Sequence, residues 1–300
     1  MNPISQKIKY SVLGLISIIA LLIVWSFIEP YIINTEIETA NIPNLPAAWQ
    51  GQQIAQITDF QLGLWGDNRE TARRSIARII EDKPAVALIS GDFLYHPGAN
   101  IESEIETAVD IVRPLVEAGI PSYAVLGNHD YGMSSRSVAP DTEQAERLET
   151  ALESAGINVL ENESVQLQLP NRSEPLYLVA VGSLWAQRDN VDRALSNVPP
   201  NSPRIVMMHN PDSFEKFPPN SAPLAVAGHT HGGQVRVPGF PQWSWLRFTQ
   251  KDKVYADGWA KGYGKPGNNL YVNQGIGMSY APIRLFCPPE LTFFTLQLMN

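Results

Sequence analysis

Two histidines, His229 and His231, sit on a turn with glycine on both sides, Gly228-His229-Thr230-His231-Gly232-Gly233. The turn follows the apolar run Leu224 to Ala227 and so stands where a short buried strand ends. Imidazole is the commonest metal ligand, and flanking glycines let the backbone bend until side chains two residues apart converge on one point. Four other apolar runs also end in residues able to hold a cation. The first, 54–58, leads to Asp59 and Gln61, and the second, 85–89, to Asp92. The third, 123–126, leads to Asn128, His129 and Asp130, and the fourth, 204–208, to His209. Singly, each has an ordinary reading as a turn, a capping loop or a satisfied core histidine. Five in series, each at the end of a strand, point to one pocket.

Ligands of open α/β sheets gather beyond the carboxyl ends of the strands, so one sheet edge is expected to collect all five sets. The helices between them are legible by period. One is expected over 69–81, with Asn68 as its cap and Ala72, Ile76, Ile79 and Ile80 on one face. Others are expected over 101–118 and 141–155, with a helical turn at 195–203. Segments 165–169 and 176–181 read as strands of an antiparallel half, and 291–298 as the last strand.

Composition narrows the possible chemistry. The chain has 300 residues, 44% of them hydrophobic, with no repeat or low-complexity run, which suits one large domain or two small ones. A net charge of −8 argues against a sequence-independent nucleic-acid binder, and no nucleic-acid partner is expected. Cys287 is the single cysteine, so a metal must be held by nitrogen and oxygen.

Lys7 and Lys9 precede an uncharged apolar run from Tyr10 to Ile28, while Glu29, Glu36 and Glu38 follow it. At about 1.5 Å per residue the run is long enough to cross a hydrocarbon layer of about 30 Å. It is long for a cleavable signal peptide and lacks a small-x-small site after it. The expected layout is a cytoplasmic N-terminus at 1–9, a retained transmembrane signal anchor at 10–28, a linker or edge segment at 29–51 and a soluble domain over 52–300. The positive-inside rule puts that domain on the non-cytoplasmic side, periplasmic or extracellular.

Three features stay open at this level. Segment 238–265 mixes Phe240, Trp243, Trp245 and Phe248 with Arg247, Lys251, Lys253, Lys261 and Lys265, against Asp252 and Asp257. Such a mixture suits lipid headgroups or an anionic, partly apolar substrate, and equally suits core aromatics beside solvated lysines. His96 reads as a loop residue or a pocket residue, and Arg284 as a phosphate ligand or a structural pair.

In order, Asp59-Phe60-Gln61, Gly91-Asp92, Gly127-Asn128-His129-Asp130, His209 and Gly228-His229-Thr230-His231 resemble the motif series of the calcineurin-like metallophosphoesterases across about residues 52–298. The Gly-His-Thr-His-Gly-Gly-Gln turn, His209-Asn210-Pro211-Asp212 and Pro289-Glu290 are similar to the membrane-anchored bacterial branch, with its UDP-2,3-diacylglucosamine hydrolases. The resemblance implies an α/β sandwich of two mixed β-sheets flanked by helices. It also implies two divalent cations, one held by Asp59, Gln61, Asp92 and His231, the other by Asp92, Asn128, His209 and His229. Such a pair, about 4 Å apart, holds a bridging hydroxide that attacks a phosphate ester or pyrophosphate bond. By the same resemblance His129 protonates the leaving oxygen and Asp130 orients its ring.

Gln61 departs from the histidine of most relatives and resembles the ADP-ribose and CDP-alcohol pyrophosphatase branch. A neutral oxygen in place of imidazole hardens that position, which favours Mn²⁺ or Fe over Zn²⁺. The expected substrate is a phosphorylated small molecule or a lipid-linked or nucleotide-linked compound. The alternatives are a catalytically inactive membrane-tethered binding module on the same fold, which predicts eroded ligands, and a membrane-tethered scaffold, which gives no reason for these residues at strand ends.

Overall fold

A computed structural model describes residues 3–64, 68–95, 98–170, 174–249 and 257–299. Helix α1 (Pro3–Ile28) comes first. The segment Gln6–Tyr31 is long and apolar enough to cross a membrane, with a mean hydropathy of 2.6 in its most apolar stretch. Nearly all of that stretch stands clear of the rest of the protein.

Strands β1 (Asn34–Ile42), β2 (Gln53–Ile57), β3 (Val86–Ile89), β4 (Ser122–Ala124) and β5 (Asn158–Val159) follow. Helices α2 (Arg69–Asp82), α3 (Ile101–Glu117) and α4 (Thr142–Ser154) lie between them. Strands β6 (Glu163–Leu167) and β7 (Leu176–Val181), helix α5 (Val191–Leu195), and strands β8 (Arg204–Met208) and β9 (Ala225–Ala227) come next. Hairpin strands β10 (Arg236–Val237) and β11 (Phe240–Ser244) lead into the short helix α6 (Trp245–Thr249). Strands β12 (Gly258–Trp259), β13 (Leu270–Val272) and β14 (Glu290–Leu298) end the chain.

The strands form two six-stranded mixed sheets, β1-β14-β2-β3-β4-β5 and β12-β13-β9-β8-β7-β6. Within the first, β2, β3, β4 and β5 run parallel, while β14 pairs antiparallel with β2. In the second, β7, β8 and β9 run parallel. Apolar residues on the two inner faces form one core, including Ile54, Leu88 and Phe294 against Leu178, Ile205 and Val226. Helices α2, α3 and α4 cover the outer face of the first sheet through Ile76, Val112 and Leu148. On the outer face of the second, Val206 and Val272 meet Val191 and Phe214. The result is the expected sandwich of two mixed sheets flanked by helices, held by apolar burial on three levels.

Of the two readings of segment 29–51, linker or edge segment, the structure has the edge segment. Residues 34–42 form β1, parallel to β14 at the sheet edge. At that edge residues 35, 37, 39 and 41 are exposed, glutamates 36 and 38 are half-buried and only Ala40 and Ile42 are buried, so the apolar alternation that marks a strand is blurred. Asn68 does not cap α2. Its Nδ2 donates to the Gln61 and Met278 carbonyls, and its Oδ1 accepts the Met278 N–H at 2.9 Å, so it ties the Gln61 loop to a distant segment. The helical turn expected at 195–203 lies earlier, as α5, because Asn190 accepts the N–H of Arg193 and starts the helix there. Strand β6 begins two residues before the expected 165–169, and its antiparallel pairing with β7 is the one such pair among β6 to β9.

One polar cluster spans the two sheets. The Tyr271 hydroxyl on β13 donates to Glu290 Oε1 on β14 at 2.8 Å, and Thr292 Oγ1 donates to the same oxygen at 2.6 Å. Burial pushes the Glu290 carboxyl up from 4.5 to about 7, against the pull of these hydrogen bonds. The folded protein therefore binds this proton more tightly than the unfolded chain does. The stability so gained is complete below about pH 4.5 and is lost as pH rises through about 7. Glu290→Gln is expected to remove this slope, which is on the order of 3 kcal/mol. Melting temperatures of both proteins between pH 5 and 8 check it; parallel profiles would refute it.

Candidate metal centre

The five strand ends expected on one sheet are divided between two. Asp59, Asp92 and Asn128 follow β2, β3 and β4 of the first sheet, whereas His209 and His229 follow β8 and β9 of the second. Face-to-face packing of the sheets through the shared core brings both sets of carboxyl ends to one rim. Backbone bonds stitch that rim: Asp59 N–H donates to the Gly91 carbonyl at 2.9 Å, and Gly228 N–H to the His209 carbonyl at 3.1 Å.

The loops bend sharply. Asp59, Gln61, Asp92, His229 and His231 all have left-handed backbone, with φ of 57°, 52°, 56°, 73° and 49°. A side chain other than glycine pays on the order of 1 kcal/mol for this region. Five such residues together persist only where the surroundings enforce them, as functional sites do. Gly228 is required by proximity, since a Cβ there would collide with Thr58 and Asp59. Those contacts place the His229 N–H 3.0 Å from Asp59 Oδ2.

Two sets of ligand-type atoms result, each within 4.8 Å of one another: Asp92, His209 and His229, and Asp59, Asp92 and His231. Asp92 belongs to both. Its Oδ2 lies 3.3 Å from His209 Nε2, and its Oδ1 accepts the His129 N–H at 2.9 Å. His209 Nδ1 donates to the Ser90 carbonyl at 2.8 Å, which turns Nε2 toward Asn128 Oδ1 at 3.2 Å and His229 Nδ1 at 3.2 Å. His231 Nδ1 donates to the Gly277 carbonyl at 3.2 Å, leaving Nε2 3.4 Å from Asp59 Oδ1 and 3.2 Å from Gln61 Nε2. Carbonyls behind two imidazoles are the support that fixes a histidine's tautomer for a cation. Gln61 Oε1 is buried without a hydrogen-bond partner. Its Nε2 stands 2.8 Å from Asp92 Oδ2, and a half-turn of the amide exchanges donor for acceptor there. The nitrogen and oxygen donors fit two divalent cations sharing Asp92.

Electrostatics ready the two turn histidines for a cation, while Asp59 and His209 favour a proton that a cation would displace. Burial pushes Asp59 up to about 7, and the neighbouring Asp92 adds to the rise. Burial also acts to raise Asp92, but the charges of His209 and His129 overcome it and hold this carboxyl well below its usual range. In return Asp92 outweighs burial at His209 and raises it to about 9. Burial depresses His229, and it brings His231 down to about 3 with help from Arg284. Both turn histidines are thus neutral, the form that binds metal.

His129 lies beside this cluster, its ring stacked on Tyr95 at 4.9 Å. Asp130 does not serve as expected. Its Oδ2 accepts the N–H groups of Asp92 and Gly127, and its Oδ1 that of Leu94. Both oxygens are thereby engaged in locking the β4 loop to the β3 loop, and burial raises the carboxyl to about 7. Arg284 is structural: fully buried, it donates to the carbonyls of Gln274, Gly275, Gly277 and Cys287, and so braces the Gly277 carbonyl behind His231. His96, Lys251, Asp252 and Lys253 lie outside the described residues, as does the Phe248 side chain.

Sequence reasoning missed Tyr95 and Trp185, because it searched strand ends for metal-competent residue types alone. Trp185 packs edge-on against His229 at 4.7 Å, and the Arg136 guanidinium lies 5.6 Å from its ring. Their signal was position: Trp185 comes four residues after β7, and Tyr95 three after Asp92.

The sequence model described as "Calcineurin-like phosphoesterase" matches residues 53–233. "Phosphodiesterase YaeI" of Escherichia coli (strain K12) is 36% identical over 74% of this chain and 74% of its own length. "Uncharacterized metallophosphoesterase YkuE" of Bacillus subtilis (strain 168) is 26% identical over 91% of this chain and 89% of its own. "UDP-2,3-diacylglucosamine pyrophosphatase LpxG" of Chlamydia trachomatis is 24% identical over 89% of this chain and 91% of its own. With its two ligand clusters at strand ends and a family match over more than half its length, the chain belongs to the calcineurin-like phosphoesterases and is a phosphate ester hydrolase.

Proposed function

We propose that this protein is a membrane-anchored phosphoesterase with a binuclear centre, acting on a phosphate ester or pyrophosphate bond of a lipid-linked or nucleotide-linked substrate. The observation that carries the reading is the sharing of Asp92 between the two ligand clusters. Asp59, Gln61 and His231 complete one position with Asp92; Asn128, His209 and His229 complete the other. Two divalent cations held there, Mn²⁺ in preference to Fe or Zn²⁺, would supply an activated water and polarise the phosphoryl oxygens. The chain itself orients and shields. Carbonyls of Ser90 and Gly277 aim His209 and His231, and Asp130 fixes the loop that presents Asn128 and His129. His129 gives its imidazole proton to the leaving oxygen, held in place by the Tyr95 ring. The names of the YaeI and LpxG relatives support diester or pyrophosphate cleavage, and the latter a lipid-linked compound.

Hydrolysis of bis-p-nitrophenyl phosphate with Mn²⁺, abolished by chelation, is the expected result. A rate above that on p-nitrophenyl phosphate favours diesters; chelator-insensitive hydrolysis would overturn the binuclear reading. Gln61→His is expected to tighten the position that residue 61 shares with Asp59, Asp92 and His231 on the order of tenfold and shift preference toward Zn²⁺. Metal titration by calorimetry reads this directly, and unchanged affinity would remove Gln61 from the ligand set.

Residues 10–28 form the span in this reading, 1–9 lie in the cytoplasm, and the catalytic domain, which includes β1, faces the other side. An exposed cysteine at Glu146→Cys, reacting with an impermeant thiol reagent in intact cells, tests the topology; protection until lysis would reverse it.

A further inference from the structure

The end of α1 and the turn that carries the histidines meet at one short loop. Glu29, just past α1 and almost fully buried, accepts Trp25 Nε1 at 2.6 Å, Phe286 N–H at 3.0 Å and Cys287 N–H at 2.5 Å. The Ser26 carbonyl accepts the Arg284 N–H at 2.9 Å. A buried carboxylate with three N–H donors holds the helix end firmly to this loop. On its other side the loop is bound to the chain that leaves the histidine turn. Val235 bridges to Leu285, the Arg236 N–H donates to the Leu285 carbonyl at 2.9 Å, and the Leu285 N–H to that of Gln234 at 3.0 Å. Leu285 and Phe286 are adjacent, so no residue intervenes in this loop between the helix contact and the root of the β10–β11 hairpin.

That hairpin presents aromatics to solvent. Phe240, Trp243 and Trp245 are 48%, 52% and 61% exposed, and the first two stack at 5.1 Å. Tyr31 and Phe286, at the junction with α1, are exposed as well, and so is Arg247 on α6. Leaving this much aromatic surface in water is unfavourable. Tryptophan beside arginine is the composition found at the level of lipid headgroups. The occupant follows from connectivity: the loop that grips the end of the helix entering the bilayer also grips the hairpin's root.

We propose that the β10–β11 hairpin with α6 is a second membrane contact, placing Phe240, Trp243 and Trp245 at the headgroup boundary beside α1. The histidine turn, which ends at Gly233 next to Gln234, is then held level with the headgroups. This rests on the reading of α1 as a membrane span.

The full-length protein, reconstituted in vesicles of phosphatidylethanolamine and phosphatidylglycerol, tests it with a thiol-reactive fluorophore at Leu21→Cys, Phe240→Cys, Trp243→Cys or Glu146→Cys. Cys287 is fully buried and stays unlabelled. Position 146 is exposed on α4, which packs on β5 at the far edge of the first sheet from β1. With nitroxide lipids in the vesicle, labels at 240 and 243 are expected to lose roughly half their emission, more to a shallow than to a deep nitroxide. The label at 21 should be quenched most by the deep nitroxide, and that at 146 by neither. Quenching at 21 with 240 and 243 as bright as 146 overturns the second contact and leaves the span intact. A label at 21 that escapes both nitroxides overturns the span reading and the proposal together.

Discussion

Asp92→Asn is expected to abolish turnover and metal content together. Asn keeps the acceptor for the His129 N–H, and among ordinary residues it is one of the few that tolerate the left-handed backbone Asp92 adopts at φ 56°. The fold should therefore survive. What changes is the face shared by the two clusters, where Oδ2 stands 3.3 Å from His209 Nε2 and 2.8 Å from Gln61 Nε2. An amide N–H at that point has no lone pair for a cation, and the charge that holds the two positions together is gone. A fall in kcat/KM of at least about 10³-fold is expected, with loss of both ions by elemental analysis. Wild-type metal content in a folded, inactive variant would show that Asp92 acts otherwise than as a ligand.

His129→Gln should separate the two properties. Its backbone N–H still reaches Asp92, so the ligand clusters are undisturbed and metal content is expected at wild-type level. The imidazole proton is lost, and kcat should fall about 10²- to 10³-fold on substrates with poor leaving groups. With p-nitrophenolate, which leaves without a proton, the loss should be much smaller. Equal losses on both kinds of substrate would remove His129 as the acid, and reduced metal content would make it part of the ligand scaffold.

The clustering of the candidate ligands was legible because residue types able to hold a cation lie at strand ends, and buried strands such as 204–208 announce themselves as short apolar runs. The division between two sheets was not. Periodicity shows that a strand is buried but not which sheet it joins, and that choice is made by long-range contacts such as Leu88 with the second sheet's core. β1 stayed undecided between tether and edge for the opposite reason: a strand with glutamates in alternate places shows no clear apolar period until β14 lies beside it. Asn68 and Asp130 kept polar groups whose partners are backbone atoms far along the chain, which sequence cannot display. Arg284 also bonds backbone carbonyls, but those of the nearby turn from Gln274 to Gly277.

Because three ligand-bearing loops grow from one sheet and two from the other, an ion seated among them is a rivet through the sandwich. Sliding the layers apart would have to pull Asp59 from His231 and Asp92 from His209. Loading with Mn²⁺ should thus slow the parting of the two halves as well as enable the reaction, giving a denaturation midpoint that climbs with free metal concentration. An enzyme built this way loses its grip on its own architecture when starved of cations, so scarcity of metal would be felt as shorter protein lifetime as well as lower flux.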